Sequence, residues 1–150
     1  MRTFNTVADY VAEKGKEIGV SDWVTIDQDR VNLFADATGD HQWIHIDPDR
    51  TQRDLGMSTI AHGYLTLSLL PYLTSQISTV KSATRGINYG SNQVRFTNMV
   101  PVGSRVRCRV ALKDATPKAG GTQVTNEVTM EIEGQERPAM VAETLSLIFE

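Results

Sequence analysis

The stretch that decides the fold is TIAHGYLTLSLLPYLTSQI, Thr59 to Ile77. It is the most apolar segment of the chain. Ile60, Ala61, Tyr64, Leu65, Leu67, Leu69, Leu70, Leu73 and Ile77 fall on nearly every side of a helix, and a helix apolar all round is a buried one. Ser58 or Thr59 is placed to cap it. Pro71 lacks an amide hydrogen and should kink the helix or end its regular part. Downstream the chemistry changes. Segments 86–97, 104–113, 123–133 and 138–149 are rich in Val, Thr and Ile. In the third, Val124, Asn126, Val128, Met130 and Ile132 alternate with Thr and Glu, the mark of a strand with one buried and one wet face. Ala119-Gly120-Gly121 and Glu133-Gly134-Gln135 mark turns. One buried helix followed by a run of antiparallel strands is an α+β plan. A sheet curled around the helix is the simplest way to bury it.

Upstream, residues 7–18 place Val7, Tyr10, Val11 and Lys14 on one side of a short surface helix ending at Gly19. Residues 23–26 are β-rich. Asp27 can cap a second helix, with Asp29 favourable in its first turn, Val31, Phe34 and Ala35 as its apolar face, and Gly39 as its stop. Residues 40–58, DHQWIHIDPDRTQRDLGMS, read as an ordered polar loop. A loop that long in a compact domain is more often functional than idle.

The 150 residues carry 15 Lys and Arg, 18 Asp and Glu, and a formal charge of −3. A chain of this length forms one domain, 1–150, that needs no staple. Scattered basic residues at mild net acidity leave no footprint for nucleic acid. No stretch of about 18 apolar residues implies a membrane span. The N-terminus lacks the apolar core of a signal peptide. One cysteine, Cys108, excludes an internal disulfide framework and suits a cytoplasmic location. Set mid-strand, it reads as a packed thiol, not a nucleophile. Arg85, Arg95, Arg105, Arg107 and Arg109 suit a solvated sheet face. One or two of them could instead meet a phosphorylated carrier.

All three histidines, His41, His45 and His62, lie between positions 40 and 63, beside Asp36, Asp40 and Asp47. Imidazole is the side chain suited to moving protons near neutrality. Asp40 and His45, five apart in a turning loop, can converge on one small molecule, or form a plain structural pair. The loop leads into the first turn of the apolar helix, where Gly63 offers an unpaired N–H that a ligand carbonyl can approach closely. Close helix packing is the competing reason for that glycine. A metal site built on His41 and His45 is disfavoured, because an extended segment would hold them roughly 13 Å apart. No metal is expected. Trp43, Tyr64 and Leu67 are candidates to line a pocket, with core packing as the alternative.

The run FADATGDHQWIH (Phe34–His45), followed by Ile60-Ala61-His62-Gly63, resembles the (R)-specific enoyl-CoA hydratase motif of the MaoC-like dehydratases, in the subgroup that includes nodulation protein N. Asn92–Phe96 with Pro101-Val102-Gly103 is similar to the family's strand after the central helix. The resemblance implies a hotdog fold, an antiparallel sheet wrapped around a long central helix, in a homodimer. It implies Asp40 and His45 as catalytic pair, Gly63 as the carbonyl-binding amide, and an acyl-CoA or acyl-carrier thioester as substrate. It implies no cofactor beyond the coenzyme A that arrives as part of the substrate. Gln42-Trp43 stands where the family often has Asn-Pro, which bears on pocket width. The expected activity is reversible hydration of a trans-2-enoyl thioester within fatty acid metabolism. A hotdog thioesterase and a non-catalytic acyl-thioester-binding module are the alternatives.

Overall fold

The computed structural model describes residues 1–150. Thr6 opens the first helix with a reciprocal capping box, its hydroxyl accepting from the Asp9 amide while the Asp9 carboxylate accepts from the Thr6 amide. Before it runs β1 (Arg2–Phe4); the helix itself, α1, is Val7–Val11. The expected helix over 7–18 is therefore short. A turn follows it, and the end of the expected span becomes β2 (Glu17–Val20), because this segment pairs antiparallel with a later strand and the pairing outweighs helical periodicity. β3 (Val24–Thr25) follows.

Next, α2 spans Gln28–Thr38 as the local signals predict. Asp27 accepts from the Arg30 amide, Val31 and Ala35 are fully buried, and Gly39 closes the helix in the left-handed conformation at φ 77°. The expected loop over 40–58 contains two short helices, α3 (Trp43–Ile46) and α4 (Pro48–Leu55), with Asp47 capping the second.

The central segment departs from expectation in two ways. Its helix starts at Gly63, not at Ser58 or Thr59. Residues 59–61 are extended: the Ala61 amide donates to the Val100 carbonyl at 2.8 Å, and the Thr59 hydroxyl to Gln28 Oε1 at 2.6 Å. As Pro71 predicts, the regular helix is interrupted, breaking at Leu69 into α5 (Gly63–Ser68) and α6 (Leu70–Ser75), and Pro71 sits in a first turn, where a missing N–H costs nothing. Leu65, Leu70 and Leu73 are buried, but Tyr64 and Tyr72 are 69% and 54% exposed, so the pair is not covered on every side.

After β4 (Ser78–Val80), which pairs parallel with β1, come four long strands: β5 (Arg85–Phe96), β6 (Arg105–Lys118), β7 (Gly121–Ile132) and β8 (Met140–Phe149). The main sheet is antiparallel in the order β2-β6-β7-β8-β5, with β3 also on β6. Its inner face supplies Val106, Cys108, Leu112, Met130 and Met140 to the core, against Leu65, Leu69 and Leu73 of the helices. Both faces of the outermost strand, β5, are largely exposed.

Candidate active site

Gly39 ends α2 and turns the chain so that Asp40 comes directly before α3. Asp40 is exposed; its carboxylate accepts from the Gln42 amide at 3.4 Å. One turn on, α3 carries the buried His45. His45 Nδ1 lies 2.7 Å from the Ile60 carbonyl. A carbonyl only accepts, so Nδ1 carries the proton and Nε2 is left as a base. Gln28 on α2 holds this turn in place. Its amide donates to the His45 carbonyl at 2.8 Å, and its oxygen takes the Thr59 hydroxyl.

His62 caps α5 with its backbone and is 2% exposed. Its Nε2 donates to the Asp40 main-chain carbonyl at 3.0 Å. Its ring stacks on that of His45, centroids 3.9 Å apart and planes 26° apart. Polar side-chain atoms of Asp40, His45 and His62 all lie within 4.8 Å of one another. Two such atoms can both reach one water at about 2.8 Å from each.

The same three residues have the composition of a metal site, a different set from the His41–His45 pair weighed in the sequence. His41 is elsewhere: its Nε2 lies 2.8 Å from Asp36, a pairing that raises its pKa. The geometry of the trio nonetheless favours a shared water over a shared ion. Stacked rings hold their lone pairs in separate planes, so an ion in the plane of one imidazole is well out of the plane of the other. Each imidazole donates one N–H to a main-chain carbonyl, at Ile60 and Asp40, and keeps its other nitrogen as an acceptor.

A cavity of about 420 Å³ opens beside His45 and Gly63, closed by Thr66, Phe96, Met99 and Arg137. The Gly63 amide is the first of α5 and has no intrahelical acceptor. A Cβ at this position would lie 2.9 Å from the Phe96 ring, so the close packing of that ring requires glycine. A larger groove, about 920 Å³, runs between α5–α6 and strands β5 and β8.

Of the candidate pocket residues, Leu67 lines the larger groove. Trp43 and Tyr64 line neither space. Trp43 lies under the Arg50 guanidinium at 4.3 Å, and Tyr64 packs edge-on against Phe96. Three of the strand arginines are held in ion pairs on the sheet. Arg105 pairs with Glu133, Arg107 with Glu131, and Arg109 with Glu17 and Glu131, while Arg85 covers Phe149. Burial pushes the Cys108 thiol up to about 12, so it is an inert packing group. Sequence reasoning missed Gln28, and it grouped His62 with the other histidines without assigning it a contact. Both act across gaps in the chain that local periodicity does not reveal.

A sheet curled over the central helices α5 and α6, with a carboxylate and an imidazole gathered near the first amide of α5, marks a hotdog-fold protein. R-hydratase PhaJ1 from Pseudomonas aeruginosa superposes with a TM-score of 0.76 over 92% of this chain and 83% of that one, at 20% identity. Residues 9–134 match the family described as MaoC like domain. Among curated relatives, 3-hydroxyacyl-thioester dehydratase Z of Mycobacterium tuberculosis is 55% identical over 146 residues, 97% of each chain. Nodulation protein N of Rhizobium leguminosarum bv. viciae is 44% identical over 146 residues, covering 95% of this chain and 91% of that one. The chain belongs to the MaoC-like domain family.

Proposed function

We propose that this protein is a hydro-lyase that reversibly adds water to a trans-2-enoyl thioester, giving a (3R)-3-hydroxyacyl thioester. The observation that carries the reading is the Asp40–His45 cluster beside the Gly63 amide at a cavity. The 55% identity to a protein named as a 3-hydroxyacyl-thioester dehydratase supports it.

The alkene is a poor electrophile until its thioester carbonyl is polarised. The Gly63 N–H donates to that oxygen and stabilises enolate character as it develops. His45 Nε2 takes a proton from a water held between it and the Asp40 carboxylate. The water oxygen bonds to C3 as the C2–C3 π pair moves toward the carbonyl. Asp40 orients the water and assists return of the proton taken by His45 to C2, so that one H and one OH are added overall. Each proton-transfer group contributes about 10²–10⁴ in rate. No metal or redox group enters this scheme, and coenzyme A or an acyl carrier comes with the substrate.

The protein works as a homodimer in this reading. β5 is the outermost strand of the sheet, and its Ile87, Tyr89 and Phe96 are 46%, 49% and 44% exposed. An open edge with apolar side chains invites strand pairing, and a second copy would cover it. The reading also places the enzyme in the cytoplasm, with its thioester substrates.

The test is product identity. Purified protein is given crotonyl-CoA and longer enoyl thioesters, with the loss of the conjugated alkene followed and the product resolved by chiral analysis. A (3R)-3-hydroxyacyl thioester supports the reading. Free thiol in place of hydration would mean a thioesterase. Thermal stabilisation by acyl-CoA without turnover would mean a binding module.

A further inference from the structure

We propose that His62 is a positioning residue for this reaction, locking the Asp40 main chain and the His45 ring into one unit. The inference rests on the hydratase reading above.

Three observations converge on this side chain. Nε2 of His62 donates to the Asp40 carbonyl at 3.0 Å, across 22 residues of chain. The other holds on Asp40 are long, its carboxylate accepting from the Gln42 amide and its amide donating to the Thr38 hydroxyl, both at 3.4 Å, so the His62 bond is the tightest tie on this residue. The ring of His62 lies flat on His45 at 3.9 Å and confines that ring to the plane set by its bond to Ile60. The residue after His62 is Gly63, which lines the same cavity as His45. One residue therefore couples acid, base and carbonyl-binding amide.

The fourth observation is a cost. His62 Nδ1 is buried with no hydrogen-bond partner. A buried nitrogen left unpaired destabilises the fold, and an aromatic hydrocarbon would fill the same space against Phe34 and His45 without it. A residue kept only for packing has no use for the imidazole. A residue kept to hold Asp40 does.

Two variants separate the tie from the stack. His62→Phe keeps a ring over His45 and loses the donor. His62→Gln restores a donor at the reach of Nε2 and loses the ring. The expected result for His62→Phe is a kcat reduced about 10- to 100-fold, the scale of a catalytic group displaced by roughly 1 Å. Its KM for crotonyl-CoA should stay within about threefold, and its melting temperature should be equal to or above that of the wild type. His62→Gln should recover part of the lost kcat despite being the less stable protein. Activity and stability thus move in opposite directions, which a packing role does not produce. Wild-type kcat in folded His62→Phe, or a kcat loss that follows melting temperature in both variants, overturns the inference.

The wild-type protein offers a check that needs neither variant nor turnover. Long-range ¹H–¹⁵N spectra should show His62 as the Nε2–H tautomer and His45 as the Nδ1–H tautomer. An Nδ1–H tautomer at His62 means the bond to Asp40 is not made, and the inference fails. Absence of enoyl-thioester turnover in the wild type would sink the hydratase reading instead, leaving the tautomers to report on the unit by themselves.

Discussion

Asp40 and His45 are both polar and five positions apart, yet the fold treats them differently. One is exposed and loosely held; the other is buried and bonded through Nδ1. That contrast suits a carboxylate that must meet solvent and an imidazole whose tautomer must be fixed. Asp40→Asn and His45→Gln should each lower kcat by at least about 10²-fold toward crotonyl-CoA, with melting temperature little changed for the exposed Asp40→Asn. Steady-state rates on folded protein, verified by circular dichroism, decide this. Turnover near the wild-type rate in either variant removes that residue from the scheme. The residues were legible because histidine is rare in this chain and clustered. Their mutual geometry was not, because it depends on bonds to Ile60 and to the Asp40 carbonyl that no local pattern encodes.

Among the elements, α2 is the most locally determined. Asp27 and Gly39 bracket it with side-chain and left-handed caps, and its boundaries follow from them. In α3 the opposite holds. Four residues with no side-chain cap cannot nucleate a helix alone. The turn exists because Gln28 grips the His45 carbonyl and the Ile60 amide donates to the Ile44 carbonyl at 3.2 Å. The central helices depend on apolar burial. Leu73 is fully buried between α6 and the sheet, so Leu73→Ala should cost about 2–5 kcal/mol. Leu33 on α2 is 70% exposed, and Leu33→Ala should stay within about 0.5 kcal/mol of wild type. Urea unfolding of the two variants measures the difference; equal losses would contradict the assigned core.

At the scale of the whole molecule, the outer face of the sheet is laced by charge. Burial alone would push the Glu131 carboxyl up, but bonds from Arg109 and Arg107 outweigh it and hold its pKa below the ordinary 4.5. A carboxyl depressed in the folded state contributes stability above its unfolded pKa and loses it as pH falls through the folded value. Glu131→Gln should therefore melt lower than wild type at neutral pH, and the gap should narrow below pH 4.5. Differential scanning fluorimetry from about pH 7 to pH 3 reads this, and a gap independent of pH would show that charge is not its source. The free edge of β5 carries the other prediction. Light scattering should give twice the chain mass of 16.6 kDa, and a charge on the edge, Ile87→Lys, should shift the protein toward the single-chain mass. A wild type of single-chain mass would refute the dimer.

Length, composition and the run of alternating strands after one apolar helix determined the α+β class, and the Asp–His–Gly pattern determined where the chemistry would be sought. These are short-range properties, written in side-chain periodicity and caps. The strand identity of Glu17–Val20, the helical turn at His45, the late start at Gly63 and the stack of His62 on His45 were decided only in three dimensions. Each of these depends on contact with residues distant in sequence. Local preference there is weaker than a bond to a partner strand, a carbonyl or a ring that only the folded chain brings near.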